Sequence, residues 1–147
     1  MSMKEHGRYQ FSVRDQVVFF TASGSWNLPT CQSFSRELKN TALDFKGKPW
    51  AIVTDMRAWE LGPPDIFEEV NLLIPWLDSH HLKFEALVVS NNVYKGITAK
   101  LRDDIPAGEE TNPPKRNYET RFFLDHDEAV DWCQRQLTLY IQASSKE

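Results

Sequence analysis

Apolar positions along the chain recur with two periods, one of two residues and one of three to four, and the switching between them predicts the elements. Residues 8–13 and 16–22 are β-branched and aromatic runs separated by Arg14-Asp15, which predicts a hairpin whose second arm, VVFFTA, is central. Ser23-Gly24-Ser25-Trp26-Asn27 breaks that strand. Pro29 has its φ suited to a first helical turn, with Asn27 or Thr30 placed to cap it, and from Cys31 onward Phe34, Leu38, Ala42 and Phe45 make one apolar stripe. Gly47, Lys48 and Pro49 end the helix. Residues 50–54 are short, apolar and β-branched, as a central strand covered on both faces requires; residues 55–63 carry turn chemistry, and Pro64 with Asp65 opens the next helix.

That second helix places Ile66, Phe67, Val70, Leu73, Ile74 and Leu77 on one face, widened by Leu72 and Trp76. Pro75 inside it demands a kink or a break into two short helices, and a kink is the simpler expectation. Residues 84–89 read as another central strand, and Ser90-Asn91-Asn92 as a turn and cap before a helix carrying Val93, Ile97 and Leu101. Residues 106–117 lack apolar periodicity and hold three prolines and a glycine, so a mobile internal loop is expected there. YETRFFL alternates as an edge strand does. It runs directly into a helix opened by Asp125 and Glu128 in a capping-box spacing, with Ala129, Val130, Cys133, Leu137, Tyr140 and Ile141 on its stripe.

The order β-β-α-β-α-β-α-β-α predicts an α/β fold. It is a single-layer mixed sheet of about five strands, an N-terminal antiparallel hairpin followed by parallel strands, with about four helices. A chain of 147 residues with 41% hydrophobic and 12% aromatic positions suits one domain spanning 1–147. The net charge of −4, with both signs interleaved, offers no basic stripe for nucleic acid. No apolar run approaches the roughly 20 residues of a membrane span, and the N-terminus lacks the apolar core of a signal peptide, so a cytoplasmic location is expected. Cys31 and Cys133 fall on apolar stripes, where reduced cysteines act as small hydrophobes, and no disulfide or metal site is expected.

The Gly-x-Trp-Asn turn at Trp26 and Asn27, the Thr-Asp-Met-Arg segment at Asp55 and the closing Phe-Phe-Leu-Asp-x-Asp-Glu-Ala-x-x-Trp together resemble the STAS superfamily, and most of all its SpoIIAA-like branch, from Tyr9 to Leu137. The resemblance implies a non-enzymatic regulatory domain that binds a protein partner around the Asp55 strand end and the helix after it. In the anti-sigma factor antagonists of that superfamily, a serine or threonine at this helix start is phosphorylated. Here the matching positions are Gly62, Pro63, Pro64 and Asp65, with no hydroxyl among them, and Asp65 supplies an anionic cap.

In an open α/β sheet, ligands approach beyond the carboxyl ends of the strands. This puts Asp55 and Arg57 at the candidate site, with Trp26, Asn27, Trp59, Asp65 and Asn92 from neighbouring ends, and Trp59 is expected to be partly exposed. The bland alternative is that Asp55 pairs with Arg57 and the tryptophans pack over the sheet. Asp78, His80 and His81 read as a solvated helix terminus rather than metal ligands. No phosphate-cradling loop, GxSxG elbow or HExxH is present, and no cofactor is implied. The expected role is an interaction domain binding a protein partner or a second copy of itself near Asp55. The alternative is a carrier of a small apolar ligand, suggested by the wide apolar face of residues 72–77 and by the fold analogy between SpoIIAA-like proteins and lipid-holding Sec14 (CRAL-TRIO) domains. An enzyme acting through Asp55 and Arg57 stands third.

Overall fold

A computed structural model describes residues 4–60, 63–93 and 117–145. The chain opens with β1 (Arg8–Arg14) and β2 (Val17–Ser25), paired antiparallel. The turn is Asp15-Gln16 rather than Arg14-Asp15. Both residues have positive φ, +52° and +66°, as a two-residue primed turn demands if its twist is to match the strands. Gln16 is an unusual occupant of that conformation, and two bonds to the next strand hold it: its Nε2 donates to the Pro49 carbonyl (2.6 Å) and its own carbonyl accepts from the Ala51 amide (3.1 Å).

Helix α1 (Leu28–Leu43) follows, capped by Asn27, whose Oδ1 accepts from the Thr30 amide. Then come β3 (Trp50–Glu60), α2 (Pro64–Ser79) and β4 (Leu82–Val88). After β4 the Ser90 hydroxyl accepts from the Val93 amide, capping a helical turn at 91–93. The helix expected over Ile97 and Leu101, and the loop expected at 106–117, lie outside the described residues except for Asn117. Last come β5 (Glu119–Phe123) and α3 (His126–Ser144), the latter capped by Asp125, whose Oδ2 accepts from the Glu128 amide as the sequence spacing requires.

The strands lie in the order β1-β2-β3-β4-β5, and every pair after the hairpin is parallel. Sequential order has a consequence for the layers: right-handed crossovers that all step in one direction put their helices on one face. Helices α1 and α2 accordingly pack side by side on the same face, while α3, which connects to no further strand, covers β3 and β4 from the other side. Alternation along β3 divides its residues between the two cores. Trp50 and Ile52 face α1 and α2, whereas Ala51 and Val53 face α3, where Ala129, Trp132, Cys133 and Leu137 complete a second cluster. The short apolar run is thus a strand buried on both faces, as its composition demands.

One expectation, about β3, is corrected, and for α2 one of the two alternatives is excluded. Residues 55–63 do not form a turn from Asp55: β3 continues to Glu60, and β2 continues to Ser25 beside it. The extension carries a β-bulge, because Thr21 pairs with Asp55 but Ser23 pairs with Ala58, giving β3 one extra residue. Nothing between Met56 and Glu60 is a breaker; the polar residues there belong to the exposed side of a two-stranded projection. In α2 the helix runs unbroken through Pro75, which lies on its exposed side, so two short helices are not formed.

Candidate functional site

The bulge decides what the tip of β3 presents. Without it, strict alternation from Ile52 would send Trp59 to the α3 face; the extra residue returns it to the face covered by α1 and α2. Trp59 is therefore 6% exposed, not the surface residue expected, and it meets Trp26 edge-on at 6.4 Å and Phe67 at 6.3 Å. Trp26 is equally buried. Its Nε1 donates to the Arg8 carbonyl (3.2 Å), and its ring packs among Tyr9, Phe20 and Phe34.

The two tryptophans wall one end of a cavity of about 370 Å³ between the sheet and the two helices. Its floor follows the sheet register. One row is Ile52, Glu85 and Thr120, directly paired across β3, β4 and β5; the next is Thr54, Leu87 and Phe122. Its roof is Phe34 and Leu38 from α1 with Phe67, Val70, Leu73 and Leu77 from α2. Among the described residues, no lining side chain is Lys, Arg or His, and the one acid, Glu85, accepts a hydrogen bond from the Thr120 hydroxyl (3.2 Å). The volume lies within the range of small-molecule pockets.

Among the described residues, the indole N–H of Trp59 is shielded from solvent and has no acceptor.

Asp55 and Arg57 occupy the other face. Arg57 Nε and Nη2 donate to the two carboxylate oxygens of Asp55 at 3.0 and 2.8 Å, and the Arg57 amide adds a third bond at 3.1 Å. Burial alone would raise the Asp55 carboxyl, but the hydrogen bonds and charge of Arg57 outweigh it and hold the group below its ordinary value. The Asp55 side chain is 13% exposed and that of Arg57 49%. Beyond the guanidinium lie Asp125 and Asp127 at the start of α3. This closed pair is a poor general base, since its proton affinity is lowered and its lone pairs are occupied.

The remaining expected site residues do not join either group. Asn27 is consumed by structure: beyond capping α1 it accepts from the His6 amide (3.1 Å) and its Nδ2 donates to the Lys4 carbonyl (2.7 Å), clasping the N-terminal segment. Asp65 was expected as a cap, but Pro63 occupies that position and makes no side-chain bond; Asp65 is inside the first turn, where its charge favours the helix dipole, and its buried Oδ1 lacks a donor among the described residues. Gly62 lies outside the described residues. Asn92 is exposed in the turn after β4. Asp78 accepts two hydrogen bonds from Asn117, and the His80 ring stacks on Trp76 at 3.8 Å with Nδ1 against the Trp76 carbonyl. Both cysteines are buried, and burial pushes each thiol up to about 12, so neither forms a thiolate near neutrality.

Residue-level reasoning missed the cavity itself. Leu72, one of the residues that marked the wide apolar face, is 74% exposed, and Trp76 is spent on His80; the lining comes instead from the narrower stripe and from the sheet. Cavity walls and close-packed core share one periodicity, so no pattern in the chain separates them. Gly7 was missed as well: a Cβ there would sit 2.5 Å from Trp26 Cδ1, so the position of the tryptophan wall depends on that glycine.

None of the described helices is long and apolar enough to cross a membrane. No family model matches the chain, and no curated protein matches it. Among solved structures it is similar to an uncharacterised protein of the DUF3478 family from Shewanella loihica PV-4, described as having a SpoIIAA-like fold, at 14% identity and a TM-score of 0.61, covering 90% of this chain and 98% of that one. At that identity the likeness shows the fold alone. The mixed five-stranded sheet with its antiparallel start is thus a SpoIIAA-like α/β fold, as the element order and short motifs of the sequence implied.

Proposed function

We propose that this protein is a non-catalytic binding domain that holds a small apolar molecule in the cavity between the sheet and helices α1 and α2. The carrying observation is the cavity: about 370 Å³ of space walled, among the described residues, mostly by apolar side chains. Binding rather than catalysis is supported by the remaining chemistry. The thiols are buried and protonated, and Asp55 is tied to Arg57. The protein-docking reading of the Asp55 region loses its aromatic anchor because Trp59 is buried, and its exposed remainder is a mixed-charge patch of Arg57, Asp125 and Asp127.

The test is titration with the fluorescent apolar probe 1-aminoanthracene. Wild type should bind one equivalent with enhanced emission, and Val70→Trp, which fills the cavity from α2, should abolish binding while keeping the native far-UV circular dichroism. Absence of saturable binding to wild type, or full binding by the filled variant, would refute the proposal.

A further inference from the structure

The cavity reading leaves open what kind of molecule is held, and the floor narrows it. We infer that the cavity takes an apolar molecule with an oxygen inside its skeleton, an internal ketone, ester or secondary alcohol, and that this oxygen bonds to the Thr54 hydroxyl in the floor. This rests on the proposed function above and adds the kind and place of the polar group.

Three observations carry it. Thr54 is 7% exposed and lines the cavity, and its hydroxyl is neither bonded by a described residue nor sealed from a water-sized molecule, so it opens on the cavity itself. The hydroxyl in the neighbouring row, that of Thr120, already donates to Glu85 (3.2 Å). A hydroxyl can donate and accept; covered by hydrocarbon it loses the partners that water gave it, and a guest oxygen removes that cost. Next comes the residue type. Thr54 ends the apolar run Trp50-Ala51-Ile52-Val53, and valine would fill the same shape in the same strand without a polar atom. Finally, the register places the oxygen. Thr54 pairs with Phe20 on β2 and Leu87 on β4, and Ile52 and Met56 stand two residues away on either side along β3; all four line the cavity. Apolar wall thus continues in every direction along the floor. A molecule with its oxygen at one end would leave part of that wall without contacts, whereas an internal oxygen lets hydrocarbon extend both ways from Thr54.

The probes are undecane, 2-undecanone and 6-undecanone, each competing with 1-aminoanthracene, and 6-undecanone labelled with ¹³C at the carbonyl. On wild type, 6-undecanone should bind more tightly than 2-undecanone, and its bound carbonyl resonance should lie downfield of its position in hexane. Thr54→Val keeps the shape of the floor, so it should leave undecane affinity no lower, reduce the ratio of 6-undecanone to undecane affinity about fivefold, the worth of one hydrogen bond, and return the carbonyl resonance toward its hexane position. If undecane and both ketones bind but the bound resonance stays at the hexane position, or the ratio and the resonance are the same in Thr54→Val, the Thr54 bond is refuted and the cavity reading stands. If 2-undecanone binds as tightly as 6-undecanone or more so, the internal placement is overturned. If no probe binds, both readings fail. The isomer preference and the resonance are read on wild type, so a Thr54→Val chain that fails to fold does not remove the test.

Discussion

Replacing Gly7 by alanine should destabilise the protein out of proportion to its position near the N-terminus. Gly7 has φ +81°, and its missing Cβ would fall 2.5 Å from Trp26 Cδ1, 3.0 Å from the Ser23 carbonyl and 3.1 Å from the Ser25 carbonyl. Three contributions set the magnitude. A left-handed backbone costs an L-residue about 1–2 kcal/mol, and alanine recovers about 0.4–1 kcal/mol by restricting the unfolded chain. Overpacking adds about 1–3 kcal/mol, because the ring cannot move aside: Phe20, Phe34, Tyr9 and Trp59 surround it and its N–H is held by Arg8. The backbone has little slack either, since the His6 amide donates to Thr30 Oγ1 (2.9 Å) and Thr30 Oγ1 donates to the His6 carbonyl (2.7 Å). The net is a loss of about 1–5 kcal/mol. Urea unfolding followed by circular dichroism measures it, with Gly24→Ala as the control. Gly24 has a similar φ of +74° but meets only the Gly7 Cα at 3.2 Å, so that change should cost about 1 kcal/mol. Equal losses at the two glycines would show that the Trp26 contact is not the cause. Thr30→Ala frees His6, so its combination with Gly7→Ala should cost less than the sum of the single changes; strict additivity would count against the clasp.

Other expectations test the opposite face and the helix ends. Asp55 has a folded pKa below its reference value of 3.8, so its contribution to stability is present above that pH and fades as the pH falls through the folded value. Arg57→Gln should therefore lower stability at pH 6 by less than about 1 kcal/mol, the guanidinium being half in solvent, with the difference shrinking as the pH falls below 3.8; a pH-independent difference in unfolding free energy would contradict the pairing. With thiols raised to about 12, Cys31 and Cys133 should resist Ellman's reagent at pH 8 in the native protein and react together in denaturant, and prompt reaction of either would place it outside the core. Asp125→Ala strips the cap of α3 and should cost about 1 kcal/mol, a fall of a few degrees in Tm; an unchanged Tm would mean that the Glu128 amide finds another acceptor.

Local chemistry made much of the fold legible. The two-faced burial of β3 follows from its unbroken apolar run, α3 from the spacing of Asp125 and Glu128, and the parallel sheet from the regular alternation of strands and helices. Each is dictated by residues close in sequence. The Asp55–Arg57 pair was legible for the same reason, as a contact between positions two apart. The fate of Trp59 was not, because a single extra residue opposite Thr21 and Ser23 decides its face, and a bulge is a property of two paired strands rather than of either one. The cavity is more distant still from sequence. Its walls come from helix stripes and strand faces identical in pattern to a packed core, and whether they close on one another or leave space depends on how far α1 and α2 stand from β3 to β5. The chain by itself determined which faces are apolar; the tertiary arrangement decided that two of those faces do not quite meet, and that Trp59 closes the end of the space between them.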